Sequence, residues 1–229
     1  ASTVISKPII SADSHVMEPP GTYIDRIDHA FLDRAPRVEH DPVRGDTFKI
    51  PGMPEIVPVG LIAAAGKTPE EIGQAAVKAR FEDMHRGGWD PHARMADQVR
   101  DGVSAEVIYP SVGMLLCNHP DADFKKACFD AYNLWIAEFC DPYPERLLGC
   151  GQTAMRSPDE GIRDLMSIKQ LGLRGVMLPG FPIQEDYDQP CYDDFWAAAV
   201  ELGLPLSFHI LTAKDGVNGP NGMGRTRGP

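Results

Sequence analysis

Short apolar runs recur along the chain and are separated by segments with helical spacing. The runs contain mostly Val, Ile, Leu and Phe without strict polar–apolar alternation, and they lie at residues 7–12, 105–110, 147–152, 175–179 and 205–210. Continuous runs of this kind are typical of strands that are buried on both faces of a parallel sheet. The pattern therefore predicts five parallel strands.

Three helices with recognisable ends are predicted between the later runs, at about residues 121–142, 157–172 and 193–203. The second begins with Ser157-Pro158-Asp159-Glu160, which supplies an N-cap serine, a first-turn proline and the acid of a capping box. The second and third end at Gly172 and Gly203, and glycine is the usual residue just past a helix end. These helices connect consecutive strands.

An internal repeat supports this alternation of strands and helices. Leu171-Gly172-Leu173 and Leu202-Gly203-Leu204 each end a predicted helix and lead into a predicted strand. They lie about 30 residues apart, which is the length of one βα unit. The chain is therefore predicted to be an α/β protein of βαβαβαβαβ order with right-handed crossovers, a pattern that fits both a barrel and an open doubly wound sheet.

The stretch at residues 17–103 interrupts this rhythm. It is rich in Pro, Gly and charged residues, and it shows only a modest helical pattern at residues 69–84. Because it follows the first strand, it emerges at the carboxyl edge of the sheet, where barrel active sites lie. We expect a cap-like insertion over the barrel mouth; the alternative is a surface elaboration without function.

Metal-ligating side chains end two of the predicted strands. The first strand ends in Ser11-Ala12-Asp13-Ser14-His15, where alternation places Asp13 and His15 on one face, and His209 ends the fifth strand at the same edge. Each residue alone has an ordinary explanation, a polar turn or a core histidine. A carboxylate with imidazoles suits zinc, manganese or ferrous iron, so together they predict a divalent metal site, with zinc as the first expectation.

Three segments carry a resemblance to a known family: residues 11–19, residues 105–110 and Phe208-His209. Together they resemble the amidohydrolase-related group of the amidohydrolase superfamily, metal-dependent (β/α)8 TIM barrels that also include non-oxidative decarboxylases. The resemblance implies that Asp13, His15 and His209 are metal ligands and that the chain is the N-terminal part of the barrel, strands 1 to 5.

The chain also departs from the family pattern. The family's histidine after strand 6 and aspartate after strand 8 have no counterpart, so the catalytic residue is unknown. No lysine lies in residues 175–180, where two-metal relatives carry a bridging carbamylated lysine, and a single-metal site is therefore favoured.

Other side chains are candidates for substrate binding. Tyr109 ends the second strand and can donate a hydrogen bond to substrate, although a structural hydroxyl is the alternative. Arg34, with Arg37, can clamp a substrate carboxylate or form surface ion pairs. Trp89 can form a pocket wall or anchor the insertion. His119 is rejected as a metal ligand because no third ligand is predicted near it.

Composition and charge disfavour several classes of binding partner. The chain has 22 Lys plus Arg against 33 Asp plus Glu, a formal net charge of -11, and no basic run, so nucleic acid and membranes are disfavoured. The five cysteines include no C-x-x-C pair, and no apolar stretch is long enough to span a bilayer. We expect a cytoplasmic protein that binds a small-molecule substrate; a dimer or other homo-oligomer stays open.

Three functional hypotheses follow. The first is a metal-dependent hydrolase that acts on an amide, ester, lactone or thioester through a metal-activated water. The second is a metal-dependent non-oxidative decarboxylase of a hydroxy-carboxylate, which an arginine of the insertion facing the metal would favour. The third is a non-catalytic ligand-binding barrel, which would be favoured if Asp13 and His15 pointed apart or were buried in ion pairs.

The chain is also predicted to be part of a longer protein. A closed barrel needs eight strands, and the Gly-rich tail at residues 211–229 has no apolar run, which predicts a flexible loop at the mouth. We expect the natural protein to continue for on the order of 150 residues, which bring the remaining His and Asp. Intact mass spectrometry of the natural protein checks this; a mass equal to these residues alone would contradict it.

Overall fold

The computed structural model of the protein describes residues 7–53, 57–62 and 66–212. The strands in these ranges are β1 (Ile10–His15), β2 (Arg37–Asp41), β3 (Gly45–Lys49), β4 (Val57–Pro58), β5 (Ala105–Tyr109), β6 (Leu147–Gln152), β7 (Gly175–Leu178) and β8 (Leu206–Phe208). The α-helices are α1 (Gly21–Ile24), α2 (Val59–Ile62), α3 (Pro69–Lys78), α4 (Pro91–Asp101), α5 (Val112–Leu116), α6 (Ala122–Cys140), α7 (Pro158–Gln170) and α8 (Asp193–Leu202). Short 3-10 helices lie at His29–Arg34, Phe81–Asp83, Arg86–Gly88 and Pro190–Tyr192.

Five strands form one parallel sheet in the order β1-β5-β6-β7-β8. They correspond to the five predicted apolar runs, and α6, α7 and α8 are the three predicted connecting helices. The first strand lies a few residues later than its apolar run predicts, at Ile10–His15. The predicted α/β class and the parallel order are confirmed.

The sheet is strongly curled. The Tyr109 hydroxyl of β5 lies 2.8 Å from the Ser207 hydroxyl of β8, although β6 and β7 separate the two strands. In a flat sheet, strands three places apart would be roughly 14 Å from each other. The side chains meet only because they point into the concave face of a half-barrel.

Helix ends follow from local sequence. The Asp121 side chain caps α6 by accepting hydrogen bonds from the backbone of Asp123 and Phe124, and the Ser157 hydroxyl caps α7 at the backbone of Glu160. Each cap satisfies N–H groups that have no partner inside the helix. The serine cap predicted for the second helix is therefore present, while the Glu160 carboxylate accepts from the backbone N–H of Arg156, one residue before the cap.

Glycines on β6 allow the helices to approach the sheet. A Cβ on Gly149 would lie 2.9 Å from the Cys140 sulfur, and one on Gly151 would lie 2.8 Å from Ile168. Cys140 ends α6 and Ile168 lies on α7, and both are buried. The close contact of α6 and α7 with the outer face of the sheet depends on these two positions.

A helix that the sequence analysis did not predict packs beside β5. The side chain of Asp90 caps α4, Pro91 occupies its first turn, and Gly102 ends it in the left-handed conformation at φ 70°. From α4, Arg94 and Gln98 donate hydrogen bonds to Glu106 of β5. This helix belongs to the layer that covers the parallel sheet.

The remaining residues between β1 and β5 build a second, smaller sheet. Strands β2, β3 and β4 pair antiparallel, and Phe48 and Ile50 are buried there. Helix α3 covers the first part of the helical pattern predicted at residues 69–84. Of the predicted flexible tail, residues 213–229 lie outside the described residues, whereas the Leu211 carbonyl accepts a hydrogen bond from Asn118. No described helix meets the length and apolarity required to cross a bilayer.

The packing at Gly151 is testable by substitution. We expect Gly151→Ala to lower the free energy of unfolding by about 1 to 3 kcal/mol, because the added methyl group overlaps Ile168. Gly73→Ala is the control: Gly73 lies exposed on α3 with nothing within 4 Å, and its replacement should stabilise the protein by about 0.5 to 1 kcal/mol. Urea denaturation measures both, and equal effects would contradict the proposed contact.

Candidate metal centre

Three side chains meet at the carboxyl edge of the curled sheet. Asp13 and His15 lie at the end of β1, and His209 follows β8 directly. The Nε2 atoms of His15 and His209 each lie 3.2 Å from the same oxygen, Asp13 Oδ1. One ligand atom from each of the three residues lies within 4.8 Å of the other two. The structure thus brings together the three residues predicted as ligands, from opposite edges of the sheet.

A bulge in β1 helps to direct the first two. Ser11 pairs with Glu106 and Ser14 with Ile108, so one extra residue is inserted in β1 between these pairs. A bulge bends a strand and re-aims the side chains beside it. Simple alternation therefore predicted the shared direction of Asp13 and His15, but not the irregular backbone that produces it.

Backbone carbonyls fix the tautomers of both histidines. His15 Nδ1 lies 2.9 Å from the Pro110 carbonyl oxygen, and His209 Nδ1 lies 3.2 Å from that of Ile210. A carbonyl oxygen only accepts, so each Nδ1 is the donor in these contacts. The Nε2 atoms face Asp13 Oδ1 and can either donate a hydrogen bond to it or, when unprotonated, bind a cation together with it.

The distances fit a cation. Ligand atoms bound at about 2.1 Å lie roughly 3.0 Å apart for adjacent octahedral positions and roughly 3.4 Å apart for tetrahedral ones. The two observed separations from Asp13 Oδ1 are both 3.2 Å. The donor set of one carboxylate and two imidazoles suits zinc, manganese or ferrous iron better than calcium, which takes oxygen ligands.

The three ligands are exposed to different degrees. Their side chains are 65% exposed for Asp13, 30% for His15 and 12% for His209. The imidazoles are thus set into the protein, while the carboxylate borders solvent.

Tyr109 lies beside both histidines. Its ring centroid is 5.2 Å from that of His209 and 6.0 Å from that of His15. Burial raises the pKa of Tyr109 above its ordinary value, so the phenol is neutral and remains a donor. Its hydroxyl shares a hydrogen bond with Ser207, which the sequence analysis missed. The sequence offered one indication of this contact: Ser207 lies two residues before His209, and strand alternation puts such residues on the same face.

Arg34 is held by other partners. Its guanidinium donates to Asp121 Oδ2 at 2.9 Å and lies over the ring of Phe124, with its carbon 4.8 Å from the centroid. Arg37 pairs with Glu39. The structure therefore brings Arg34 to the start of α6 and not into contact with the three ligands, and its predicted role in substrate binding stays a prediction.

Trp89 packs within the segment between β1 and β5. Its ring lies 5.5 Å from that of Phe81, and the Arg86 guanidinium lies over it at 5.5 Å. The indole Nε1 is buried and has no hydrogen-bond partner among the described residues. Packing by this ring matches the anchoring alternative, while its role as a pocket wall stays a prediction.

A buried ion pair supports the end of β1. Arg94 donates to Glu106 at 2.7 and 2.9 Å and to the His15 carbonyl at 3.0 Å, and Ser14 donates to Glu106 at 3.0 Å. Burial alone would raise the pKa of Glu106, but hydrogen bonds from Arg94 and Gln98 outweigh it and hold that pKa below its ordinary value. The sequence analysis did not identify this pair, although a glutamate within an apolar run was a signal.

Comparisons with known proteins agree with this fold. The model of a family described as amidohydrolase matches residues 56–219. An amidohydrolase from Mycobacterium avium subsp. paratuberculosis K-10 is 19% identical with a TM-score of 0.67, over 90% of this chain and 58% of its own. No curated protein matches the chain.

Two similar solved structures are decarboxylases. The 5-carboxyvanillate decarboxylase from Novosphingobium aromaticivorans DSM 12444, complexed with manganese and 4-hydroxy-3-methoxy-5-nitrobenzoic acid, is 20% identical with a TM-score of 0.58, over 94% of this chain and 53% of its own. A dihydroxybenzoic acid decarboxylase from Polaromonas sp. JS666, with bound manganese and 2-nitroresorcinol, is 15% identical with a TM-score of 0.52, over 89% and 49%. At these identities the similarity shows a shared fold. The chain spans about half to three fifths of the length of these structures.

Proposed function

The chain belongs to the amidohydrolase family, and we propose that Asp13, His15 and His209 hold one divalent metal ion at the mouth of its half-barrel. The observation that carries this proposal is the convergence of three lone-pair atoms, two of them 3.2 Å from Asp13 Oδ1. One carboxylate oxygen and two imidazole nitrogens at this spacing form a donor set that a divalent cation would satisfy. Zinc remains the first expectation, and manganese suits the same donors.

The chemistry that we propose is hydrolysis of a carbonyl derivative: an amide, ester, lactone or thioester. A divalent ion in this centre supplies Lewis acidity, which activates water and polarises a carbonyl group. Asp13 leaves one side of the centre open to substrate. Tyr109, a neutral donor held beside both histidines, is positioned to bind a substrate oxygen.

The segment at residues 17–103, without α4, is proposed as a cap over this mouth. It contacts the loop that follows α5 at the carboxyl edge of the sheet: the Pro51 carbonyl accepts a hydrogen bond from His119 Nε2 at 2.8 Å, and Arg34 pairs with Asp121. The Met17 backbone also donates to the Gly88 carbonyl at 2.8 Å. These contacts support the proposal because they tie parts of the segment to loops at the carboxyl edge of the sheet.

Non-oxidative decarboxylation is the second candidate. It is favoured by the fold similarity to two decarboxylases whose structures contain manganese. An arginine of the insertion that faces the metal would favour it further, but Arg34 is engaged with Asp121. Hydrolysis therefore stays first.

A non-catalytic barrel is the third candidate. That hypothesis would be favoured if Asp13 and His15 pointed apart or were buried in ion pairs. Asp13 instead lies 3.2 Å from His15 with its side chain 65% exposed. This geometry favours the two catalytic hypotheses.

Loss of the ligands should remove metal and activity together. We expect His15→Ala and Asp13→Ala to reduce bound metal from about one ion per chain to less than about a tenth, with turnover lost in parallel, because two ligands rarely retain a divalent ion. His29→Ala is the control, since His29 is an exposed histidine on a surface 3-10 helix. Elemental analysis of the full-length proteins measures the ion. Variants that keep full metal content would refute the centre.

A substrate panel separates the two chemistries. The metal-loaded, full-length protein should hydrolyse at least one class among esters, lactones, thioesters and amides, because the metal centre activates water beside a carbonyl. Acid release and carbon dioxide release are recorded side by side. Carbon dioxide release from hydroxybenzoate-type acids, with every carbonyl derivative left intact, would replace the hydrolase by the decarboxylase.

A further inference from the structure

Glu18 is a fully buried carboxylate outside the ligand set, at 0% exposure. Its Oε1 accepts hydrogen bonds from the backbone N–H groups of Ser111 and Gly113, both at 3.1 Å. Its Oε2 accepts from Ser111 at 3.2 Å and from Val112 at 3.1 Å. Removing a carboxylate from water costs free energy, and these four hydrogen bonds offset that cost.

The partners of Glu18 indicate its charge. All of them are N–H groups, which only donate, so an ionised carboxylate satisfies both oxygens. A protonated carboxyl group would direct its own O–H at another donor. Burial raises the pKa of Glu18, and the N–H groups of Gly113, Val112 and Ser111 oppose that rise.

One peptide group joins Glu18 to the metal centre. The Pro110 carbonyl accepts the Nδ1 proton of His15 at 2.9 Å, and the N–H of the same peptide group, on Ser111, donates to both oxygens of Glu18. The order is carboxylate, peptide N–H, peptide carbonyl, imidazole. Histidine ligands of metals commonly donate their second N–H to a carboxylate or a carbonyl, which fixes the ring and raises its basicity.

We propose that Glu18 is a positioning residue that acts on His15 through the peptide group between Pro110 and Ser111. The carboxylate of Glu18 accepts a hydrogen bond from the Ser111 N–H and so polarises the peptide group. This polarisation increases the negative charge on the Pro110 carbonyl oxygen, because hydrogen bonds in a chain strengthen one another. The Nδ1 proton of His15 is then held more strongly, and Nε2 becomes a better electron donor to the ion. This inference rests on the proposed metal site for its consequence, but the chain of bonds exists without metal.

A purely structural role would give a different result. The loop after β5 is also tied to β1 by other bonds: the Ser111 hydroxyl donates to the Val16 carbonyl at 2.7 Å, and the Val16 N–H donates to the Tyr109 carbonyl at 3.1 Å. These bonds remain when Glu18 is replaced. If Glu18 only stabilises the fold, its loss should lower stability and leave the donor strength of His15 unchanged.

The test is Glu18→Gln in the full-length protein, with two measurements. The first is the dissociation constant for Mn²⁺, which we expect to rise about 10- to 100-fold, the usual effect of losing a residue that supports a ligand. The second is the NMR signal of the His15 Nδ1 proton in metal-free protein, which should move upfield as its hydrogen bond weakens. Asp164→Asn is the matched control, because Asp164 is another buried carboxylate, bound to Thr153 and Lys126.

Each outcome decides the inference. An unchanged dissociation constant and an unchanged His15 signal in Glu18→Gln would overturn it, as would an equal loss of Mn²⁺ affinity in Asp164→Asn. If Glu18→Gln does not fold, Glu18→Asp retains the charge at a greater distance, and wild-type values for it in both measurements would also overturn the proposal. If the wild-type protein binds no Mn²⁺ or Zn²⁺, the proposed function fails, while the metal-free His15 signal still tests the role of Glu18.

Discussion

The curl of the parallel sheet is the constraint on which the candidate site depends. Strands β1 and β8 are the two edges of the sheet. Even so, Asp13 Oδ1 at one edge lies only 3.2 Å from His209 Nε2 at the other. The Tyr109–Ser207 hydrogen bond also bridges this concave face. Asp13, His15 and His209 lie at the ends of β1 and β8, so the curl of the sheet sets the distance between them. A substitution elsewhere that flattened the sheet would therefore move them apart.

The surrounding structure supplies rigidity that resists separation of Asp13, His15 and His209. Arg94 and Glu106 fix the His15 backbone from the helix side of the sheet. Glu18 and the Pro110 carbonyl fix the imidazole from the side of the following loop. Buried, fully hydrogen-bonded carboxylates at both positions make the end of β1 rigid, and a rigid site loses less freedom when it binds an ion.

The sequence predicts what is local or periodic. The apolar runs located the five strands, the capping box located the start of α7, and the rule that parallel strands end at one edge joined His209 to Asp13 and His15. It did not reveal the bulge in β1, the partnership of Ser207 with Tyr109, or the role of Glu18, because these depend on contacts between residues far apart in the chain. Helix α4 was missed for another reason: its Asp-Pro start and glycine end were visible, but its apolar pattern is weak because two of its inward side chains, Arg94 and Gln98, are polar.

The exposure of the three candidate ligands determines how strongly water screens the charge of Asp13. Asp13, the anionic ligand, is the most exposed of the three, and His209 is the least. Water screens the charge of a carboxylate, so the field at the centre depends on what covers Asp13. If the centre holds a cation as proposed, a surface that removes this water would strengthen the attraction between that cation and Asp13.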